Sequence, residues 1–561
     1  MRNRRLVMSA VLVAAGVGLG VALVPGAAQG ADPAEGAARG TAAPVTGLAQ
    51  ARAANVRTFT SPGDRTVRSA LPAARGTAVA PRASAAGGNQ GLEIQLGASA
   101  GTAHGLSLES WITSEDTALD VVVDWGDGTQ DRATASGSTT LKHRHVYART
   151  GPYTVAVTVT DAAHNVRAVN SLPYVTPGSD FTPHAPTRLL DTRDGTGAPQ
   201  GMVGAYSSAR VRVAGNAGIP AGVTAVALNV TVTNTRTPGH VTVFPGRGYE
   251  RPTTSNVNYT AGRTVPNLVV VPVGEDGYVE LYNGGWEQVD LIADVTGYYT
   301  RTAAAGYVPL DPVRLADTRS GTGTARGPVA GYASFDLRIR GEASIPAGAT
   351  AVALNVTATG PRDAGHLTAY PSGGQLPRTS NVNYEAGRTV ANSVIVPIGA
   401  DGKVSIRNGG WDATDVVVDV VGYYSPDSNA AYMPLAPARL LDTRSPDWRK
   451  GPLRARTYAY LGVSPDEAGI AGYVLNATVT HTRGAGFLSV SPDPNSWDEN
   501  ENGTGAAPER PVSSALNWTA GATVANLVQA SSGDHGVVDF WNQGWDDTDL
   551  VVDIFGYYET K

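Results

Sequence analysis

Over most of the chain, apolar and polar residues alternate with a period of two or gather in short apolar runs, as they do in strands. Val121-Val122-Val123 and Thr154-Val155-Ala156-Val157-Thr158-Val159 are two such stretches. Turn clusters separate them, among them Asp124-Trp125-Gly126-Asp127-Gly128-Thr129 and Arg149-Thr150-Gly151. Further on, Asp290-Leu291-Ile292-Ala293-Asp294-Val295 puts Leu291, Ala293 and Val295 on one face of a strand. Asp290, Ile292 and Asp294 take the other. The pattern predicts an all-β protein.

Two N-terminal stretches depart from it. Arg2, Arg4 and Arg5 precede an apolar run, Leu6 to Val24, which ends in the small residues of Ala28-Gln29-Gly30. Residues 1–30 are expected to be a signal peptide cleaved after Gly30, giving a secreted, extracellular product. The competing reading is an uncleaved anchor. Residues 31–90 are Ala, Gly, Pro, Thr and Arg with one aromatic, Phe59, and seven Arg against three acids. Without sustained apolar periodicity the stretch is predicted to be a disordered linker.

The remainder repeats. Arg188-Leu189-Leu190-Asp191-Thr192-Arg193 returns at 314–319 and 439–444, at spacings of 126 and 125 residues. Ala227-Leu228-Asn229-Val230-Thr231 returns at 353–357 and more loosely at 474–478. Ser255-Asn256-Val257-Asn258-Tyr259 matches 380–384 and, more weakly, 514–518. Each copy closes on Gly-Tyr-Tyr, at 297–299, 422–424 and 556–558. A period near 125 residues exceeds a solenoid repeat or a propeller blade, and each copy is long enough to bury its own core. Three tandem β-domains follow, at 180–300, 306–425 and 431–561. Each is expected to be a two-sheet β-sandwich, jelly-roll-like in form.

Composition narrows the function. The 561 residues include no Cys, which removes disulfides, thiolate metal sites and cysteine nucleophiles. A net charge of -6 argues against nucleic acid as a partner. Only 4 of 43 basic residues are Lys, which with the Ala and Gly excess suggests a high-GC actinobacterial gene.

Residues 91–176 resemble a PKD (polycystic-kidney-disease) domain. The resemblance rests on Asp124-Trp125-Gly126-Asp127-Gly128, His145-Val146-Tyr147 and Gly151-Pro152-Tyr153 leading into Thr158-Val159-Thr160-Asp161. It implies an Ig-like β-sandwich acting as a spacer or a polysaccharide contact. Trp125 is then either a ligand platform or a packed turn aromatic. The three copies resemble a repeat of secreted actinobacterial proteins, which implies an extracellular accessory module.

Three features of the copies invite chemistry. First, the closing strand carries paired carboxylates, Asp290/Asp294, Asp415/Asp419 and Asp549/Asp553. Four strand residues span about 13 Å, too far for glycosidase carboxyls, which stand about 5–9.5 Å apart. The second Asp lies in an apolar stretch and needs a partner. The expected ion pairs are Arg193–Asp294, Arg319–Asp419 and Arg444–Asp553.

Second, the turn before that strand reads Asn283-Gly284-Gly285-Trp286, Asn408-Gly409-Gly410-Trp411 and Asn542-Gln543-Gly544-Trp545. A Trp on a Gly-rich tip is a sugar platform, with neighbouring amides fixing orientation, or a lid on the end of the sandwich. Asn256, Asn258 and Asn267, with 381, 383 and 392, are expected to tie loops to strands.

Third, Asp498, Asn500, Asn502 and Glu509 fit the spacing of an EF-hand loop for Ca²⁺, although Gly505 and Pro508 fit it poorly; the default reading is a solvated acidic loop, with Ca²⁺ as its alternative.

Catalytic motifs are scarce. Gly97-Ala98-Ser99-Ala100-Gly101 lacks the strand–turn–helix setting of a nucleophile elbow. His240 and His366 become Phe487 in the third copy, which points to packing. The expected function is non-catalytic binding of a cell-wall or environmental polysaccharide. The alternative is a stalk or scaffold joined to another secreted protein, and no membrane contact is expected after signal cleavage.

Overall fold

The computed structural model describes residues 48, 52–53, 55–72, 88–445, 451–465 and 467–561. The predicted signal peptide, 1–30, lies outside the described residues. Nearly every element is a strand, and every ladder is antiparallel.

Nine strands form the N-terminal sandwich: β1 (Arg57–Ser61), β2 (Val67–Ala70), β3 (Glu93–Ala100), β4 (Gly105–Thr113), β5 (Ala118–Asp124), β6 (Gln130–Ser136), β7 (Thr139–Val146), β8 (Pro152–Asp161) and β9 (Val166–Val175). Its sheets run β1-β3-β4-β7 and β2-β9-β8-β5-β6. The alternation read in β8 buries Val155, Val157 and Val159 against Leu96, Val121 and Tyr174.

The predicted linker is corrected here, because residues 57–70 supply β1 and β2, one to each sheet. Thr58-Phe59-Thr60 is a short β-prone run, and Phe59 meets the Tyr174 ring edge-on at 5.3 Å. Even Arg52 is engaged, its guanidinium 2.7 Å from Glu559 at the far end of the chain.

Each copy is a jelly roll. In the first, β10 (Asp180–Asp191), β11 (Ser208–Arg212), β12 (Val223–Thr233), β13 (Gly239–Pro245), β14 (Val257–Tyr259), β15 (Val265–Pro272), β16 (Tyr278–Asn283) and β17 (Asp290–Thr300) form two four-stranded sheets. The inner sheet runs β10-β17-β12-β15 and the outer β11-β16-β13-β14. Numbered from one to eight within the copy, these orders are 1-8-3-6 and 2-7-4-5, the interleaving of a jelly roll. The second and third copies repeat both orders.

β12 is buried on both faces, and its sequence shows why. Val226, Leu228, Val230 and Val232 enter the copy's own core. The intervening Ala225 and Ala227 face a separate cluster drawn from all three copies. Small residues there let the three inner sheets approach one another.

The copies thereby close into a pseudo-threefold ring. Asn392 donates to Asn229 Oδ1, Asn526 to Asn355 Oδ1 and Asn267 to Asn476 Oδ1, at 3.0, 3.1 and 3.1 Å. Phe181 lies 4.1 Å from the Tyr424 ring, Tyr307 4.3 Å from Tyr558 and Tyr432 4.6 Å from Tyr299. Each bond set passes from first copy to second, second to third and third to first.

On the axis the hydroxyls of Tyr299, Tyr424 and Tyr558 form a triangle with sides of 2.9, 2.8 and 3.0 Å. The repeated Gly-Tyr-Tyr serves this junction. Its last Tyr reaches the axis, and a Cβ on Gly297, Gly422 or Gly556 would run into the ring of Phe181, Tyr307 or Tyr432. The three domains share a core, which the sequence reading of self-sufficient tandem units did not anticipate.

Candidate functional site

The register fixes which end of the ring carries the tips. Thr233 of β12 pairs with Asp290 and Val232 with Val265, so the turns before β17 and β15 emerge at one end. Tyr299 pairs with Ala225 at the other end. There the N-terminal sandwich docks, through His104 N–H to the Lys561 carbonyl and Ala103 N–H to Glu559. The tip end is the one remote from that contact.

Trp286, Trp411 and Trp545 are exposed at 78, 78 and 80 % of their surface. They do not fold back onto the sandwich. Tyr206 meets Trp286 edge-on at 5.4 Å, and Tyr332 meets Trp411 likewise at 5.2 Å. In the third copy Arg456 takes this place, its guanidinium 4.9 Å from the Trp545 ring centre. Tyr206, Tyr332 and Arg456 all adopt left-handed backbone, with φ of 56, 60 and 58°. A bulky residue holds that conformation at a cost of about 1–3 kcal/mol, which the surrounding turn must outweigh. Sequence reasoning missed these partners; aligning Gly204-Ala205-Tyr206 with Ala330-Gly331-Tyr332 would have found two of them.

The tip asparagines Asn283, Asn408 and Asn542, expected to be binding residues, are buried and spent on the turn itself. Asn283 Oδ1 accepts from Tyr259 Oη and Gly285 N–H, while its Nδ2 donates to the carbonyls of Val203, Gly204 and Glu287. Asn408 and Asn542 make the equivalent turn bonds. An amide so fully used builds the turn and has nothing left for a sugar. The turn glycines permit close packing: a Cβ on Gly284 would strike His240, and one on Gly409 would strike His366. The matched histidines therefore pack beneath the tips, and burial pushes both imidazoles below their ordinary value.

At the same end a vestibule of about 630 Å³ opens among the three copies, lined by Asn258, Asn383, Asn517, Arg263, Arg388 and Glu385 among others. Tyr259, Tyr384 and Trp518 also line it. Gly285, Gly410 and Gly544 of the tip turns pack against those same three rings, so vestibule and tips share a wall. Asn256 and Asn267 tie loop to strand as expected: Asn256 Oδ1 accepts from Val243 N–H, and Asn267 Nδ2 donates to the Asn256 carbonyl. Asn258 and Asn383 depart from that expectation, because their buried amide nitrogens have no partner among the described residues.

The predicted ion pairs are also corrected. Arg188, not Arg193, holds Asp294, with Nε 2.9 Å from the carboxylate; Arg314 and Arg439 hold Asp419 and Asp553 in the same way. The register explains it, because Arg188 stands opposite Asp294 on the neighbouring strand, whereas Arg193 lies two residues beyond the end of β10. Arg193, Arg319 and Arg444 fold back onto Asp191, Asp317 and Asp442.

The two sets of carboxylates respond oppositely to pH. Burial pushes Asp294, Asp419 and Asp553 up, and the arginine bonds do not fully offset it. Hydrogen bonds from Arg193 and Arg319 hold Asp191 and Asp317 below the usual range, Asp317 at about 2. A carboxyl lowered on folding contributes stability above its unfolded value, near 4, and that contribution is lost as pH falls toward its folded value. Between pH 4 and pH 2 the wild type should lose about 1–2 kcal/mol more than Asp317→Asn. Denaturant unfolding at the two pH values measures this; equal losses would show that the Asp317 turn is not a stabilising clasp.

The EF-hand reading fails. Residues Trp497–Asn502 form a short helix whose N-cap Ser496 and Glu499 make a capping box, with Gly503 left-handed at its end. Asp498 and Asn500 then point about 200° apart, and Asn502 belongs to the helix as well, so with Glu509 they do not encircle one ion. Trp125 is 1 % exposed, stacked on His145, and is a core residue rather than a platform.

No family model matches the chain, and no curated protein matches it. Among solved structures, a SusE-like protein is 11 % identical, covering 37 % of this chain and 96 % of its own, with a TM-score of 0.11. A structure titled for promiscuous carbohydrate-binding modules of the β-sandwich superfamily is 13 % identical, covering 35 % and 92 %, with a TM-score of 0.12. A triple jelly roll from an archaeal virus turret is 10 % identical, covering 68 % and 90 %, with a TM-score of 0.14. The strand order, rather than these distant likenesses, makes each copy a jelly roll.

Proposed function

We propose that this is a secreted, non-catalytic binding protein that engages cell-wall or environmental polysaccharide through three aromatic tips, with the PKD-like N-terminal sandwich as its spacer. The observation that carries the reading is the exposure of Trp286, Trp411 and Trp545 in all three copies, at one end of a closed ring. A flat indole standing in water on a rigid turn is a stacking surface for a pyranose face. The partner ring of Tyr206 or Tyr332 gives the first two tips a second wall. Three weak sites held at fixed separation gain affinity by effective concentration, about 10²–10⁴ over one site, when the ligand repeats as a polysaccharide does.

Retention on insoluble peptidoglycan, chitin and cellulose tests the reading. Each single Trp→Ala change should weaken retention about three- to tenfold, and the triple Trp286→Ala, Trp411→Ala, Trp545→Ala variant should abolish it while keeping its circular dichroism. Full retention by the folded triple variant would remove the tips from the mechanism. Failure of the wild type to bind any of the three would favour the scaffold reading, in which the tips meet another secreted protein.

A further inference from the structure

The third copy differs from its sisters at one position of the outer sheet. In the first, Glu280 faces Arg210 across the ladder, with Nε 2.9 Å from the carboxylate. In the second the pair is Ser405 and Asp336, joined by a 2.6 Å hydrogen bond. In the third, Asp539 stands opposite Tyr460, so no cross-strand cation is supplied. On its other side, Phe244 and Tyr370 of the first two copies give way to Ser491, which opens space over the sheet. Asp493 follows two residues later on the same face, diagonal to Asp539.

Both carboxylates are buried, at 1 and 0 % exposure. Among the described residues neither joins an ion pair, and three of their four oxygens receive no hydrogen bond from any other side chain or backbone group, the two carboxyls facing each other. The inserted helix covers this place: Trp497 packs against Tyr460 and Val537, and Glu501 accepts from Tyr460 Oη. Asn500, three residues from Trp497 and on the same helix face, is buried with its amide nitrogen unpartnered.

We propose that Asp493, Asp539 and Asn500 bind a divalent cation of the Ca²⁺ class beneath the helix of the third copy. Two adjacent carboxylates taken out of water without countercharge are costly, and a cation between them satisfies the orphan oxygens at once. The donor set is all oxygen, the choice of a hard ion rather than zinc. An Asn amide presents its oxygen as readily as its nitrogen by rotating about its last bond. The ion would pin the helix to the sheet, doing for the third copy what Arg210 does for the first.

The full chain, stripped with chelator and dialysed, is the test material. Titration with CaCl₂, and separately with MgCl₂, should show one site per chain by calorimetry, and saturating metal should raise the thermal transition by about 3 °C or more. Asp539→Asn should abolish both effects. Glu280→Gln, at the Arg-paired position of the first copy, should leave them intact. The wild-type titration needs no variant to fold, which keeps the proposal falsifiable. Absence of calcium and magnesium binding with an unmoved transition would overturn it and leave the two acids as a pair sharing one proton. Neither result bears on the tips.

Discussion

Tyr424→Ala is expected to destabilise the ring by about 3–5 kcal/mol, the cost of emptying a fully buried aromatic site. Tyr424 joins all three copies: its hydroxyl bonds to Tyr299 and Tyr558, Gln529 donates to it, and Phe181 stacks on its face. Tyr424→Phe keeps the packing and removes only the hydroxyl, so about 1 kcal/mol is expected. Denaturant unfolding followed by Trp fluorescence separates the two. Proteolysis of the connecting segments 301–305 and 426–430 should quicken in the Ala variant, because the junction that holds neighbouring copies together is lost. Were the copies independent beads, the Ala change would act within one domain and leave cleavage at 301–305 unaltered.

That junction shows what local pattern hides. Gly-Tyr-Tyr was plain as a motif, as was the strand face carrying Leu291, Ala293 and Val295, which enters its own core as its alternation predicts. The meeting of Tyr299, Tyr424 and Tyr558 was not legible, because residues 125 or more apart meet through ring closure and not through periodicity. The alternating small residues Ala225 and Ala227 were the available signal, since an inner strand facing solvent has no need of them. The linker failed for another reason: averaged over sixty residues, its composition drowned the five-residue run around Phe59. The calcium-loop spacing misled because Ser496 and Glu499 fit a capping box as well as the neighbouring residues fit a calcium loop, and the capped helix takes Asp498, Asn500 and Asn502 out of the arrangement an ion needs. The tips were legible as turns but their exposure was not, because a Trp beside Gly284-Gly285, Gly409-Gly410 or Gln543-Gly544 suits a lid as well as a platform.

Arg188→Ala should cost about 3–5 kcal/mol, whereas Arg193→Ala should cost less than about 1 kcal/mol, although both belong to one six-residue motif. Arg188 is the strand partner of Asp294, a carboxylate 1 % exposed. Removing the guanidinium leaves that charge buried and unpaired, with burial already pushing its pKa up. The same guanidinium bonds the Arg378 carbonyl of the second copy at 3.2 Å, beside the bond from Asn229 to the Ser380 carbonyl. Its loss therefore opens a seam between copies as well. Arg193, 45 % exposed at its side chain, braces Asp191 in a surface turn where water replaces it, and Arg188 still holds Asp191 at 2.7 Å. Asp294→Asn in the Arg188→Ala background should recover much of the loss, since the amide carries no charge to strand. Equilibrium unfolding of the wild type, Arg188→Ala, Asp294→Asn and their double variant completes the cycle, with Arg193→Ala measured beside them. Equal costs for the two arginines would mean that the motif's two cations share the buried acid. No recovery in the double variant would mean that Arg188 acts through its bond to the second copy rather than through Asp294.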